Sequence, residues 1–459
     1  MDTSVVRLLE DNRQEHIVRA CRRMTEAQQE ALCEDIRQID FPHLAALLER
    51  ARRPQTAPRA FAPAPVVSFP RTGARAAERR RLEQLGEEYL RRGRVAVFLV
   101  AGGQGTRLGF NGPKGCFPVS PIKGKSLFQL FAEQIMALQR RYETVVPWYI
   151  MTSRDNHAAT AAFFAAHTYF GLDPGCVRLC LQREIPSLDE DGRLIISPEM
   201  RIFKNPNGHG GSIQALHDAG ALADMAYRGI EELFYFQVDN PLVKIADPLF
   251  VGAHVDCRAQ MSTKVVRKTD PAERVGVIGL IDGAVGCIEY SELTAEQAHA
   301  RHPDGTLVFG SANIAVHMLS RAFIEQLATR PDVTLPYHCA TKTIRAIDPD
   351  TGAERTINGI KFETFIFDAL AFTERSCTLE VPREEEFAPV KNKTGPDSPD
   401  TARAAMIRLH RSWLDAAGCG SDVPEACPVE ISPLFALDRD EFTRKFVPPG
   451  SLTPPLYIE

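Results

Sequence analysis

The apolar run Val95-Ala96-Val97-Phe98-Leu99-Val100-Ala101 passes without a polar interruption into Gly102-Gly103-Gln104-Gly105-Thr106-Arg107-Leu108-Gly109. A continuous apolar stretch this short, bounded by glycine, reads as a strand buried on both faces. Comparable runs lie at Val146–Thr152, Val177–Gln182, Leu233–Val238 and Met261–Arg267. Helical spacing fills the gaps at Ser126–Tyr142, His157–His167, Ser212–Tyr227 and Pro248–Cys257. Strands alternating with helices predict a mostly parallel, doubly wound α/β sheet, whose ligands bind beyond the carboxyl ends of its strands.

Outside this block the pattern changes. Val5, Leu8, Leu9, Ile17 and Val18 repeat at near-helical spacing in residues 1–50, and Ala76–Arg92 is a second helical stretch. Between them, residues 53–70 are rich in proline and alanine and read as an extended connector. Arg79-Arg80-Arg81 is interleaved with Glu78, Glu83, Glu87 and Glu88, so it reads as a solvated helix face rather than a nucleic-acid patch. After residue 270 come a hairpin-like pair, Val275–Ile281 with Val285–Tyr290, and helices at Phe365–Thr373 and Thr401–Ala417. The pattern divides the chain into an N-terminal helical region (1–92), a central α/β domain (93–400) and a small C-terminal β-rich unit (401–459).

Composition narrows the function classes. At 459 residues the chain is long enough for two or three domains. A net charge of −5 gives no electrostatic case for nucleic acid or an anionic membrane as partner. No apolar run approaches the roughly 18 residues of a membrane span. Met1-Asp2-Thr3-Ser4 shows no secretory leader, and eleven scattered cysteines suit reduced thiols, so a cytoplasmic location is expected.

The glycine loop after Ala101 is where chemistry is expected. Glycines let a backbone approach a ligand closely and aim N–H groups at it, while Arg107 and Lys114 supply positive charge for phosphates. The loop matches neither common phosphate signature. Leu108 stands at the third glycine of a dinucleotide fingerprint, and Val119 at the first glycine of a P-loop ending in Gly124-Lys125-Ser126. Asp239 follows another apolar run; it either opens the Asp-Asn-Pro turn or binds a hard cation, and the glycine loop on the same edge favours the cation.

Asn205-Pro206-Asn207-Gly208-His209-Gly210-Gly211 is a second glycine-rich turn before a helix. His209 lacks a second His or Cys at ligand spacing, so a hydrogen-bonding or structural role is expected. Gln182 ends a strand on the same edge. Glu289 and Asn313 adjoin β-type runs and suit sugar hydroxyls or turns. Lys361 and Lys391 read by default as solvated surface cations. The chain has no Ser/His/Asp ordering, no HExxH and no CxxC. Phosphate donors, one metal carboxylate and no protein nucleophile are the inventory of phosphoryl or nucleotidyl transfer.

These motifs resemble those of the UDP-sugar pyrophosphorylases, and most closely the UDP-N-acetylhexosamine branch. The likeness spans roughly residues 80–415. Besides Leu99–Gly109 and Pro113-Lys114-Gly115, it includes Pro147–Ser153, Gln237-Val238-Asp239-Asn240, Glu289–Glu292, Asn358-Gly359-Ile360-Lys361 and Val390-Lys391-Asn392. The resemblance implies a Rossmann-like, GT-A-like nucleotidyltransferase domain that joins UTP to a sugar 1-phosphate with Mg²⁺. N-acetylglucosamine 1-phosphate is the expected sugar. Carried over by motif, Gly102, Gly103, Gln182, Gly208 and His209 would bind the nucleotide. Arg107, Lys114 and Lys391 would handle the phosphates, and Asp239 the metal. Glu289, Asn313, Lys361, Phe365 and Phe367 would face the sugar.

His209 replaces the Asn of that branch and is more like UDP-glucose or broad UDP-sugar enzymes, which are the alternative expectation. Gly310-Ser311-Ala312-Asn313 also departs from the usual Asn-Ala-Gly-Asn. A UDP-sugar-binding glycosyltransferase would want Asp-x-Asp, whereas Asn240 and Pro241 follow Asp239. A non-catalytic nucleotide-binding scaffold would more readily have lost Lys114 or Arg107.

Overall fold

A computed structural model describes residues 2–52, 59–330, 333–420, 423–424, 427–448 and 455–459; residues 53–58 of the expected connector lie outside this set. The chain sorts into two compact units, one of residues 59–181, 212–333 and 369–459, the other of residues 1–58, 182–211 and 334–368.

The larger unit is built on a ten-stranded sheet. Its strands are β1 (Phe61–Pro63), β2 (Val95–Val100), β3 (Trp148–Thr152), β4 (Val177–Leu181), β5 (Glu232–Gln237), β6 (Met261–Arg267), β7 (Val277–Ile281), β8 (Ala284–Ile288), β9 (Ser311–Ser320) and β10 (Ser376–Glu380). Strands β4-β3-β2-β5 run parallel, with Val97 opposite both Trp148 and Phe234. The next strand, β9, is antiparallel to β5 and to β6, and β10 joins β6 in parallel. The expected hairpin is β7–β8, in register from Val277↔Ile288 to Ile281↔Ala284.

Burial explains the apolar runs. Val95 to Leu99 are all at most 1% exposed, and Phe131 packs edge-to-face on Phe236 at 5.0 Å. Part of the connector is stitched to this sheet: residues 61–63 pair with β7, and Val67 exchanges hydrogen bonds with Thr378 and Glu380. Pro63, without an N–H, is tolerated in so short a strand.

Helix Ala76–Arg91 crosses helix Pro248–Asp256 glycine on glycine. A Cβ on Gly86 would fall 1.9 Å from the Pro248 carbonyl oxygen, and one on Gly252 1.8 Å from that of Leu82. The arginine cluster on the first helix is ion-paired, Arg79 to Glu83 and Arg81 to Asp256. The helix expected over 212–227 is two, Ser212–Asp218 and Ala221–Tyr227, because Gly220 adopts φ 64° between them. Residues Ile366–Phe372 form 3₁₀ rather than α-helical turns.

Near the C-terminus, helix Pro399–Ala416 packs Trp413 and Leu414 on Val429, Ile431 and Phe442. Strand Val429–Ile431 pairs in parallel with Leu456–Ile458. His410 is buried beside this cluster, its Nδ1 accepts from Ile431 N, and burial pushes its pKa down to about 4. The unfolded histidine titrates near an ordinary ~6.5, so the unfolded state gains a proton first as pH falls. Stability present above pH ~6.5 is therefore lost progressively down to about 4. In urea titrations, His410→Gln is expected to show a smaller loss than wild type between pH 7 and 4.5; equal losses would refute this.

The smaller unit joins three chain segments. Helices Thr3–Asp11, Glu15–Cys21, Glu26–Arg37 and Phe41–Arg52 supply Val5, Leu9, Ile17, Leu32 and Ile36 to a core shared with Leu188, Leu194, Ile202 and Phe362. A long hairpin, Tyr337–Ile347 with Glu354–Thr364, accepts Leu188–Asp189 as a third strand. Buried Asp35 receives both Arg201 (2.6 Å) and Lys204 (2.9 Å). Among the described residues, no helix is long and apolar enough to cross a membrane.

Candidate active site

The glycine loop leaves β2 at the carboxyl edge of the parallel block. It closes on itself through Gly105 N to Gly112 O (2.9 Å) and Lys114 N to Gly103 O (3.1 Å). Thr106–Leu108 form one 3₁₀ turn, ended by Gly109 at φ 72°. A Cβ on Gly103 would meet nothing within 4 Å, leaving the backbone there open to a ligand. Asn156, fully buried after β3, donates to the carbonyls of Ala101 (2.8 Å) and Gly103 (3.3 Å), while its Oδ1 accepts from Ser153 N. This amide holds the loop's entrance in place.

Lys114, Asp239, Lys391 and Arg107 come into one electrostatic neighbourhood. Burial lowers the Lys114 pKa, Asp239 opposes that, and Lys391 and Arg107 reinforce it. Arg107 is exposed and has no hydrogen-bond or ion-pair partner among the described residues. Lys391 approaches Asp397 only at 3.8 Å. This is a cationic cluster in which three positive groups share one electrostatic neighbourhood, and an arriving polyanion would relieve their repulsion.

Lys391 rides on a segment pinned to the end of β5. Val390 N donates to Asp239 O (2.8 Å). Buried Asn240 donates to Glu386 O (2.7 Å) and accepts from Ala388 N (3.1 Å). The same turn thus presents Asp239 and anchors the chain that delivers Lys391. Asn156 and Asn240 escape sequence reading because their partners lie far along the chain; their own signal is no more than an Asn after an apolar run.

Glu289 and Asn313 meet around Gly276. Asn313 N donates to Gly276 O (2.9 Å), and a Cβ on Gly276 would lie 3.5 Å from Glu289 Oε1. A bulge in β9 between Asn313 and Val316 turns this corner, with Asn313 Nδ2 directed to Cys287 Sγ at 3.7 Å.

In the smaller unit, Gln182 Nε2 donates to Gly208 O (2.5 Å) and to Asn207 Oδ1 (3.2 Å). Gly208 has φ 83°, and a Cβ there would strike Thr364 O at 2.3 Å. His209 stacks on Phe365 at 5.1 Å and meets Phe367 edge-on at 5.5 Å. Burial among these rings, with His338 nearby, pushes its pKa down to about 4. Its Nδ1 accepts from Ile366 N (3.2 Å), so the neutral ring carries its proton on Nε2. Phe365 also stacks on His338, whose Nε2 pairs with Asp368 at 2.8 Å. Lys361, whose residue type suggests solvation, is instead buried and paired with Glu363 at 2.6 Å, because its strand lies in the middle of a three-stranded sheet.

Among the described residues, no group of three or more His, Cys, Asp or Glu could hold a metal unaided. Asp239 is a lone carboxylate beside phosphate-type donors. That donor set fits a hard cation completing its shell with ligand phosphates and water.

Residues 70–411 match the family model for UTP–glucose-1-phosphate uridylyltransferase. The chain is 36% identical over 452 residues to UDP-N-acetylglucosamine diphosphorylase 2 of Arabidopsis thaliana, covering 94% of this chain and 89% of that one. It is 39% identical over 361 residues to UDP-N-acetylglucosamine pyrophosphorylase of Saccharomyces cerevisiae, covering 76% and 75%. Among solved structures, it is similar to the uridine diphosphate N-acetylglucosamine pyrophosphorylase of Trypanosoma brucei in complex with inhibitor. The TM-score is 0.83 at 28% identity, covering 99% of this chain and 97% of that one.

Proposed function

The chain belongs to the UTP–glucose-1-phosphate uridylyltransferase family, and from that premise we propose that it converts UTP and N-acetylglucosamine 1-phosphate into UDP-N-acetylglucosamine and pyrophosphate. The observation that carries this reading is the gathering of Arg107, Lys391 and Asp239 around Lys114 at the lip of a glycine loop. Relatives named for N-acetylglucosamine match over nine-tenths of the chain, which supports that sugar.

An oxygen of the sugar phosphate attacks the α-phosphorus of UTP in line. The new O–P bond forms as the bond from the α-phosphorus to the bridging oxygen breaks, and pyrophosphate leaves. A phosphate is already anionic at neutral pH, so no general base is required; the barrier is repulsion between two polyanions. Lys114 and Arg107 hold the triphosphate and then the departing pyrophosphate, and Lys391 holds the sugar phosphate. Mg²⁺, held by Asp239, would supply further charge neutralisation at the triphosphate.

In this reading Gly102, Gly103, Gln182 and Gly208 bind the uracil, and His209 offers a fixed Nε2–H to the nucleotide. Glu289 and Asn313 take sugar hydroxyls, with Lys361, Phe365 and Phe367 shaping the acyl side. Pyrophosphate release with UTP is the test, run against the 1-phosphates of N-acetylglucosamine, N-acetylgalactosamine, glucose and galactose. The N-acetylglucosamine compound is expected to give the highest kcat/KM, dependent on Mg²⁺. Preference for glucose 1-phosphate would move the assignment to UDP-glucose synthesis, and no product with any of the four would reject it.

A further inference from the structure

Lys393, two residues beyond Lys391, lies directly on the glycine loop. A Cβ built on Gly109 would sit 3.4 Å from its Cδ and Cε and 3.5 Å from its Nζ. These are van der Waals distances, so the lysine stem lies along the loop at the point where the left-handed φ of 72° calls for glycine. Gly109 ends the turn Thr106–Leu108, so Lys393 meets the loop two residues beyond Arg107.

The lysine is carried there by a built turn. Lys391 N and Asn392 N both donate to Asp397 O (2.6 and 3.0 Å), and Asn392 Nδ2 donates to Pro396 O (2.9 Å). Ser398 then caps helix Pro399–Ala416. The turn is tied at its other end to Asp239 and Asn240. Lys391 and Lys393 are therefore delivered by one anchored segment.

Charge supplies the second observation. Lys393 is exposed and, like Arg107, has no hydrogen-bond or ion-pair partner among the described residues. Lys114 has Arg107, Lys391 and Asp239 as charged neighbours, Lys391 approaches Asp397 at 3.8 Å, and Lys393 adds a further cation at Gly109. The surplus is positive and lies on the loop that bears the phosphate-type donors. An unpaired ammonium at such a position suits a mobile polyanion better than a fixed protein partner.

We propose that Lys393 is a pyrophosphate-binding residue, a fourth cation that meets the terminal phosphates of UTP in synthesis and free pyrophosphate in the reverse reaction. The proposal rests on the uridylyltransferase reading and adds to it a residue specific to the outgoing half of the triphosphate. It predicts a selective effect. Affinity for UTP and pyrophosphate depends on Lys393, and affinity for the UDP-sugar and the sugar 1-phosphate does not.

The test compares Lys393→Met, Lys393→Ala and Lys393→Arg with wild type, using inorganic pyrophosphate as the calorimetric probe and both reaction directions for kinetics. Met keeps the aliphatic contact with Gly109 and removes only the charge. Losing one charge-assisted contact is expected to weaken pyrophosphate binding and raise KM for UTP about tenfold in both Met and Ala variants. The Arg variant is expected to stay within about threefold of wild type, and added salt to narrow the gap. Wild-type-like pyrophosphate affinity in Lys393→Met would overturn the proposal, since the lysine would then act by packing alone. An equal rise in KM for the UDP-sugar would overturn it too, by pointing to general damage to the loop. Direct pyrophosphate titration needs no turnover, so a failure of the uridylyltransferase reading would show separately, as absence of product from wild type.

Discussion

Lys114→Ala is expected to lower kcat by about a hundred- to a thousandfold while the protein stays folded. The backbone of Lys114 is tied to Gly103 O, so the loop's closure does not depend on the side chain. Burial and the neighbouring Lys391 and Arg107 all disfavour its charge, and Asp239 opposes them. Removing the ammonium therefore relieves repulsion in the free enzyme and withdraws stabilisation only once phosphates arrive. The predicted signature is a large kinetic loss with a thermal midpoint equal to or slightly above that of wild type. Pyrophosphate release and a melting curve on the same preparation decide it. Turnover within a few-fold of wild type would remove Lys114 from the mechanism.

Lys264→Met is expected to lower stability by about 3 kcal/mol, the lower end for breaking a buried ion pair. Lys264 is fully buried, with Nζ 2.8 Å from Asp247 and 2.5 Å from Glu386. Burial alone would raise the Asp247 pKa; Lys264 and Lys244 more than offset this and hold it below the ordinary carboxylate range. Without Lys264 two carboxylates are left in the interior, and Lys244, 3.7 Å from Glu386, compensates only in part. The Glu386 carbonyl is also the acceptor for Asn240, so turnover should fall together with stability as the Lys391 segment loosens. Urea unfolding of Lys264→Met and of the double variant Lys264→Met/Glu386→Gln checks the cause. Partial recovery in the double variant is expected, and its absence would mean that lost packing rather than stranded charge is responsible.

The parallel half of the sheet was legible because β2, β3 and β5 are buried on both faces and so spell continuous apolar runs. Both glycine turns were legible because their backbones need conformations or approaches that other residues refuse, as at Gly208. The hairpin 337–364 was not, since most of its first strand is exposed and carries no apolar alternation. The amides of Asn156 and Asn240 were equally silent, because each holds carbonyls contributed from at least fifty residues away. At Lys361 residue type misleads: a lysine in a middle strand is buried if a glutamate two residues on can take its charge. Gly86 and Gly252 reveal themselves only where two helices touch.

The three-part composition of the smaller unit sets an order of events during synthesis. Its core needs Leu9, Ile17 and Leu32 from the first segment, Leu188 and Ile202 from the second, and Phe362 from the third. The four N-terminal helices thus leave the ribosome some three hundred residues before the strand bearing Phe362, and contacts so distant along the chain form slowly. Until then their apolar faces have no complete partner and are open to chaperones and to one another. A chain arrested anywhere before residue 362 would be left with that surface uncovered, so premature termination should yield aggregation-prone or degraded protein rather than a shortened but folded product.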